Sequence, residues 1–389
     1  MRLHSVLLVA FAAAPLVSVM ACAQATVSTD PNLARAQRVL RATPLIDGHN
    51  DLPWAIRNAT DAPFDVEAYD LRRTTKGHTD IARLRAGLVG GQFWSVYIPG
   101  DTSVARQGYA KVQLEQIDIA LRVMAKYPDT FQSITTAAGF RSAFAAGRIG
   151  SVMGMEGGHA IENSLGALRA FHAMGVRYMT LTHNAHLDWA DSHVANPRHD
   201  GLTPFGNEVV REMNRLGMLV DLSHTSAATM SDALDVSEAP VIWSHANARA
   251  VHNHTRNVPD EILRRLPRNG GIVMVTFVPG FVTSAPKATL VQVADHIDHI
   301  KSVAGVDHVG IGGDFDGIDT VVEGLEDVST YPALFAELAR RGWTDADLKK
   351  LAGENILRVM ERAEQVAARL QRERAPSTAT IASFAPPAR

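Results

Sequence analysis

Three stretches of this chain repeat one phrase. "SLGALRAFHAMG" leads into "VRYMTLTH", "GNEVVREMNRLG" into "MLVDLSH", and "VADHIDHIKSVAG" into "VDHVGIGGD". In each, an amphipathic helix ends in a glycine and a short apolar strand follows almost at once. Gly175, Gly217 and Gly305 suit the left-handed position just past a helix, where a side chain is strained. Strands that alternate with helices imply parallel pairing through right-handed crossovers. Eight strand candidates can be read: 45–51, 91–99, 149–156, 176–183, 218–224, 240–245, 271–279 and 308–314. Most are rich in Val, Ile, Leu and Met without strict alternation, the pattern of strands covered on both faces. Eight such units close a (β/α)8, TIM-like barrel of the α/β class. The alternative, an open doubly wound sheet, lacks the Gly-rich dinucleotide turn after its first strand.

The ends of these strands carry the chemistry. In "LIDGHND" the first strand closes on His49 and Asp51, which on an extended chain share a face. Other strands stop at Glu156 in "MEGG", His183 in "TLTH", His224 in "VDLSH", His245 in "VIWSH" and Asp314 in "GIGGDFDG". In a barrel these C-terminal ends meet at one mouth, where active sites are assembled. Core packing gives no reason for so many apolar strands to end in metal-capable groups. Imidazoles and carboxylates without cysteine suit borderline-hard divalent ions such as zinc. His49, Asp51, Glu156, His224 and His245 exceed what one tetrahedral ion needs. With Glu156 bridging they suffice for two ions, which can share a hydroxide and polarise an acyl oxygen. Taken singly, each group has a blander reading as a core or capping residue. His78, His159, His186, His193, His199, His252, His254 and His308 read as surface or structural groups, and His296 with His299 as a solvated helical face.

Composition narrows the rest. Hydrophobic residues at 46%, charged residues at 20% and a net charge of -3 describe a soluble globular protein and argue against nucleic acid as a partner. Residues 1–25 have an Arg, an Ala-rich apolar run too short and weak to span a bilayer, then small residues, the layout of a secretory signal. Cleavage at "AQA" gives an exported periplasmic or secreted protein with no transmembrane span; acylation at Cys22, in a loose lipobox, gives a lipoprotein. Cys22 is the only cysteine, so no disulfide is expected. Residues 26–374 read as one catalytic barrel with elaboration over 52–90, and 375–389 as a disordered tail.

"DGHNDLPW", "MEGGHAIENSLGALRAFHAMGVRYMTLTHN", "MLVDLSHTSAATM", "PVIWSHANARAVHNHTRNVPDE" and "GIGGDFDG" together resemble the membrane (renal) dipeptidase family, in order, from about residue 35 to about residue 370. The resemblance implies a zinc dipeptidase of the amidohydrolase superfamily on a distorted barrel. It implies one zinc on His49, Asp51 and Glu156, and a second shared by Glu156 with His224 and His245. His183 matches the family histidine that contacts substrate and steadies the oxyanion. Arg256 in "RNVPD" matches the arginine facing the substrate carboxylate, and Asp314 the proton-handling aspartate. The implied reaction is attack of a metal-bridging hydroxide on the peptide bond of an L-Xaa-L-Xaa or L-Xaa-D-Xaa dipeptide, and family analogy implies a homodimer. The alternatives are an amidohydrolase acting on a lactam, an acylated amino acid or a secreted modified peptide, a periplasmic tailoring enzyme, and a binder that captures dipeptides without cleaving them. The loop "NAHLDWADSHVANPRHDG" has its own composition, which leaves side-chain preference open.

Overall fold

The computed structural model describes residues 30–384; the candidate signal sequence with Cys22, and residues 385–389, lie outside them. The strands are β1 (Leu45–Asn50), β2 (Val89–Ser95), β3 (Phe131–Ser133), β4 (Ile149–Glu156), β5 (Val176–Thr180), β6 (Leu219–Asp221), β7 (Ile242–Trp243), β8 (Ile272–Val275) and β9 (Val309–Ile311). They run β2-β1-β9-β8-β7-β6-β5-β4, and pairing of β2 with β4 closes the ring. The pairings between these strands are all parallel. This is a closed (β/α)8 barrel, as the helix–glycine–strand phrase implies. Gly175, Gly217 and Gly305 all have positive φ, at 107°, 77° and 95°, so each occupies a conformation that disfavours a side chain.

Two features differ from expectation. A ninth strand, β3, lies outside the ring and pairs with Ile149–Ser151 of β4. β5 pairs with β4 farther along, at Met153–Glu156, so the two share one edge of a long strand. Three residues, "FQS", carry no periodicity to announce this. Most strands are also shorter than expected at the mouth. Only His49 and Glu156 of the candidate residues lie within strands; His183, His224, His245 and Asp314 follow the last paired residue of β5, β6, β7 and β9. Asp51 is likewise past β1, bent to φ -94° and ψ 26° at the head of the helix Leu52–Arg57. The shared face of an extended pair is therefore not what unites His49 with Asp51.

The barrel interior is filled from its strands by Ile46, Phe93, Val152, Tyr178, Leu219, Ile242, Ile272 and Met274. Its floor comes from the long helix Asn355–Glu373, through Ile356, Leu357, Val359 and Met360, and from Phe140. A larger apolar layer packs the outside of the sheet against the surrounding helices. Local signals set the helix ends. Thr203 caps Pro204–Leu216 by accepting the Gly206 N–H, with Pro204 at the first position and Gly217 left-handed at the end. Thr289 and Gln292 form a reciprocal capping box at the head of Leu290–Ala304. On that helix His296 is buried, accepting the Ala248 N–H at 3.2 Å and bonded to the Val282 carbonyl at 2.9 Å; the solvated reading is corrected. His299 is bonded to Asp260 at 2.8 Å.

The segment 52–90 buries Val66, Leu71 and Leu84. Residues 375–384, read as part of a disordered tail, end in a 3-10 turn and are tied back: the Ser377 carbonyl accepts from Arg169 at 2.9 Å and its N–H donates to Glu212 at 3.3 Å. No helix among the described residues is long and apolar enough to cross a membrane.

Gly154 in β4 has a specific steric duty. A Cβ there would sit 2.0 Å from Cζ of Tyr178, a ring fully enclosed in the barrel. Gly154→Ala should therefore destabilise the fold by about 1–3 kcal/mol, measured as a lowered urea midpoint at fixed metal concentration.

Candidate metal centre and active site

The structure brings His49, Asp51, Glu156, His224, His245 and Asp314 together at the mouth. Glu156, at the last position of β4, presents its two oxygens to different partners. Oε2 lies 3.3 Å from Nε2 of His49, which is itself 3.2 Å from Asp51 Oδ2. Oε1 lies 3.0 Å from Nε2 of His224 and 3.3 Å from Nε2 of His245. Two three-residue clusters thus share Glu156, each with its ligand atoms within 4.8 Å of one another. Asp314 Oδ1 is 3.9 Å from His49 Nε2, and His183 Nε2 is 4.0 Å from Glu156 Oε1. Arg256 follows β7, buried, with Nη2 at 3.4 Å from the His245 carbonyl and its Nε and Nη1 without hydrogen-bond partners.

Hydrogen bonds behind the rings decide which way each imidazole faces. His224 Nδ1 donates to Asn184 Oδ1 at 2.9 Å. His245 Nδ1 meets Ser244 Oγ at 2.9 Å, and that hydroxyl spends its proton on Asp221 Oδ2 at 2.6 Å. Ser244 must therefore accept from His245. Both rings then carry their proton on Nδ1 and a bare lone pair on Nε2. Yet the two Nε2 atoms are 3.0 Å apart and both face Glu156 Oε1. Burial, with Arg256 next in weight at His224 and His49 at His245, keeps both imidazoles well below their usual pKa, so neither adds a proton. Converging lone pairs with no hydrogen between them require a cation. His49 Nε2 and Asp51 Oδ1 add two more buried polar atoms that make no well-directed hydrogen bond.

The electrostatics fit the same demand. Burial works against the Glu156 charge, but the surrounding imidazoles, His49 foremost, hold its carboxyl well below the usual range. At Asp314 burial, with Asp51 and Glu156 close by, pushes the carboxyl well above its usual value. Burial lowers the Arg256 guanidinium to about 10, which leaves it charged at neutral pH.

Two of the site residues also carry backbone strain. His224 and Asp314 are left-handed, at φ 63° and 66°. The His224 carbonyl accepts from Thr182 Oγ1, Ser192 Oγ and the His193 N–H, at 2.9, 3.1 and 2.8 Å, which over-determines its position. The Asp314 N–H donates to the His49 carbonyl at 3.1 Å. Beneath, buried Asp47 accepts from the N–H groups of His49 and Gly313 at 3.1 and 2.9 Å and from the Tyr331 hydroxyl at 2.5 Å. Asp221 serves the other side, accepting from Ser223 N, Ser244 N and Thr180 Oγ1 at 3.1, 2.8 and 2.5 Å.

Sequence reasoning missed these supports. Asp47 and Asp221 precede their metal-capable neighbours in the very motifs that signalled the site, "LIDGHND" and "VDLSH". A carboxylate in an apolar strand was the available sign. Tyr178, whose hydroxyl is 2.8 Å from His49 Nδ1, had no sign at all. Tyr97 and His159 line a cavity of about 560 Å³ beside His183.

A closed β/α barrel with imidazoles and carboxylates gathered at its C-terminal mouth defines a metal-dependent hydrolase of the amidohydrolase type. The model of the membrane dipeptidase family (peptidase family M19) matches residues 33–374. This chain belongs to that family and is a metal-dependent peptidase. It is 31% identical to a solved metallo-peptidase, dipeptidase AC, over 82% of this chain and 98% of that one, with a TM-score of 0.74. A metallo-peptidase from Rhodobacter sphaeroides, solved with a phosphinate mimic of the dipeptide L-Ala-D-Ala, is 29% identical over 82% and 99%, with a TM-score of 0.75. The probable dipeptidase PvdM from Pseudomonas aeruginosa shares the fold, at 23% identity over 86% and 99%, with a TM-score of 0.77.

Tyr178→Phe removes the hydrogen bond that orients His49. It should weaken metal retention about 10–100-fold, read by competition with a chromophoric chelator, while circular dichroism stays unchanged.

Proposed function

We propose that this protein hydrolyses the peptide bond of dipeptides and holds two zinc ions, one on His49, Asp51 and Glu156 and one on Glu156, His224 and His245. The observation that carries the reading is the convergence of the His224 and His245 Nε2 lone pairs on Glu156 Oε1 in a buried space with no proton between them, while Oε2 of the same carboxylate faces His49 and its neighbour Asp51. Nitrogen and oxygen donors without thiolate fit zinc, and a carboxylate divided between two clusters fits a pair of ions. Ions held there would supply a Lewis acid for the substrate carbonyl and lower the pKa of a nucleophilic water.

The remaining steps fall to the chain. Arg256 has two buried nitrogens unspent, and it binds the terminal carboxylate of the substrate through paired hydrogen bonds. The amino end lies toward Asp51 and Glu156. A longer peptide cannot satisfy both contacts, which makes the site selective for dipeptides. His183 forms no hydrogen bond through its ring among the described residues, and it donates to the developing oxyanion. Asp314 takes a proton from the attacking water and returns it to the leaving amine. The dipeptide mimic bound by the Rhodobacter sphaeroides relative supports this substrate class and a D-residue at the second position. The N-terminal pattern supports export to the periplasm or medium, and family analogy supports a homodimer.

Metal analysis coupled to amine release from a dipeptide panel tests the reading. Purified protein should carry two zinc equivalents per chain, and His224→Ala should lose about one of them. Asp314→Asn should keep both while kcat falls roughly 10²–10⁴-fold; undiminished turnover would remove Asp314 from the proton path. Arg256→Ala should raise KM for free dipeptides while leaving C-terminally amidated ones little changed. Equal discrimination between the two in wild type and variant would refute the carboxylate contact. Release of amine from acylated amino acids but not from dipeptides would favour the broader amidohydrolase alternative.

A further inference from the structure

Beside the metal cluster lies a cavity of about 560 Å³. Its walls come from the segments that follow β2, β4 and β5, at residues 97–101, 159–163 and 183–188. Asp101, Glu162 and Asp188 line it, and no Lys or Arg does. Two polar side chains at its inner end are unspent. Among the described residues neither the His183 ring nor the Tyr97 hydroxyl forms a hydrogen bond, and the His183 side chain is only 15% exposed. Their rings pack together with centroids 4.8 Å apart, which joins the cavity to the reacting centre.

The cavity also has a definite orientation. In the closed ring β2 and β7 stand opposite, with β1, β9 and β8 between them one way and β4, β5 and β6 the other. Arg256 rises after β7. On the dipeptidase reading, a substrate whose carboxylate is gripped there directs its N-terminal residue across the mouth toward β2 and β4. We propose that this cavity receives the side chain of the N-terminal residue and selects a cationic one, lysine or arginine.

The carboxylates differ in how far they are already committed. Asp101 caps its own helix through the Ser103 and Val104 N–H groups. Asp188 accepts from Asn163 at 2.9 Å, and its nearest cation, Arg198, is 3.9 Å away. Glu162 has only a long 3.4 Å contact from the Ala110 N–H. Glu162 and Asp188 therefore have the charge to spare for a ligand. The Tyr97 and Tyr109 rings supply faces on which an ammonium or guanidinium can rest.

The inference rests on the dipeptidase reading, and one experiment separates the two. Steady-state kinetics on L-Arg-L-Ala, L-Lys-L-Ala, L-Met-L-Ala and L-Glu-L-Ala should give kcat/KM about tenfold higher for the cationic substrates than for L-Met-L-Ala, with the gap shrinking in high salt. In the double variant Glu162→Gln, Asp188→Asn the ratio of L-Arg-L-Ala to L-Met-L-Ala should fall about tenfold. A ratio is insensitive to partial misfolding, and Asp101 is left intact to keep its helix. Glu162→Lys should move the preference toward L-Glu-L-Ala. Equal cleavage of the Arg and Met dipeptides, or an unchanged ratio in the double variant, overturns the cationic pocket and leaves the dipeptidase reading standing. Cleavage of none of the four overturns that reading and this inference with it.

Discussion

The metal cluster around Glu156 Oε1 depends on protons being kept off the Nε2 faces of His224 and His245. Asp221 accepts from the Ser244 hydroxyl, Ser244 accepts from His245 Nδ1–H, and Asn184 accepts from His224 Nδ1–H. Each bond is ordinary in length. Their joint effect is to leave nitrogen lone pairs pointing at carboxylate oxygens inside a poorly solvated pocket. That arrangement is repulsive by itself and becomes favourable only around positive charge. Metal dependence is thus written in the hydrogen bonds behind the ligands as much as in the ligands.

The barrel supplies the rigidity this needs. Glu156 ends the longest strand, which is paired along both edges, so its carboxylate has little freedom to favour one cluster over the other. His224, His245 and Asp314 sit just past their strands, where carboxylates below replace the lost ladder bonds. Asp221 does this for β6 and β7, and Asp47 for β1 and β9. Left-handed backbone at His224 and Asp314 is tolerated because so many bonds converge on the same residues.

Much of this was legible in the sequence. The helix–glycine–strand phrase, read three times, and eight strand candidates point to a closed barrel, and the polar groups at the strand ends then have to meet. What escaped was whatever has no periodic or compositional mark. β3 is three residues long and borrows an edge that β5 leaves free. His296, polar and spaced for a wet helical face, is buried because two backbone partners reach it from other segments. Tyr178 reads as one more aromatic in a strand, and only the closed ring puts its hydroxyl against His49. Long-range contacts of this kind have no local signature.

The order in which the ring closes has a consequence for how the chain comes to be folded. β1 is made early, but its neighbour on one side, β9, begins at Val309. The floor of the barrel waits longer still, for Ile356 to Met360. Until those residues emerge, the ring cannot close, its floor is missing and the site lacks Asp314. All five proposed metal ligands are in place by His245, yet the barrel that must hold them rigid cannot close before β9 and the helix from Asn355 are made, so a chain truncated ahead of Val309 carries the ligands without the frame that positions them.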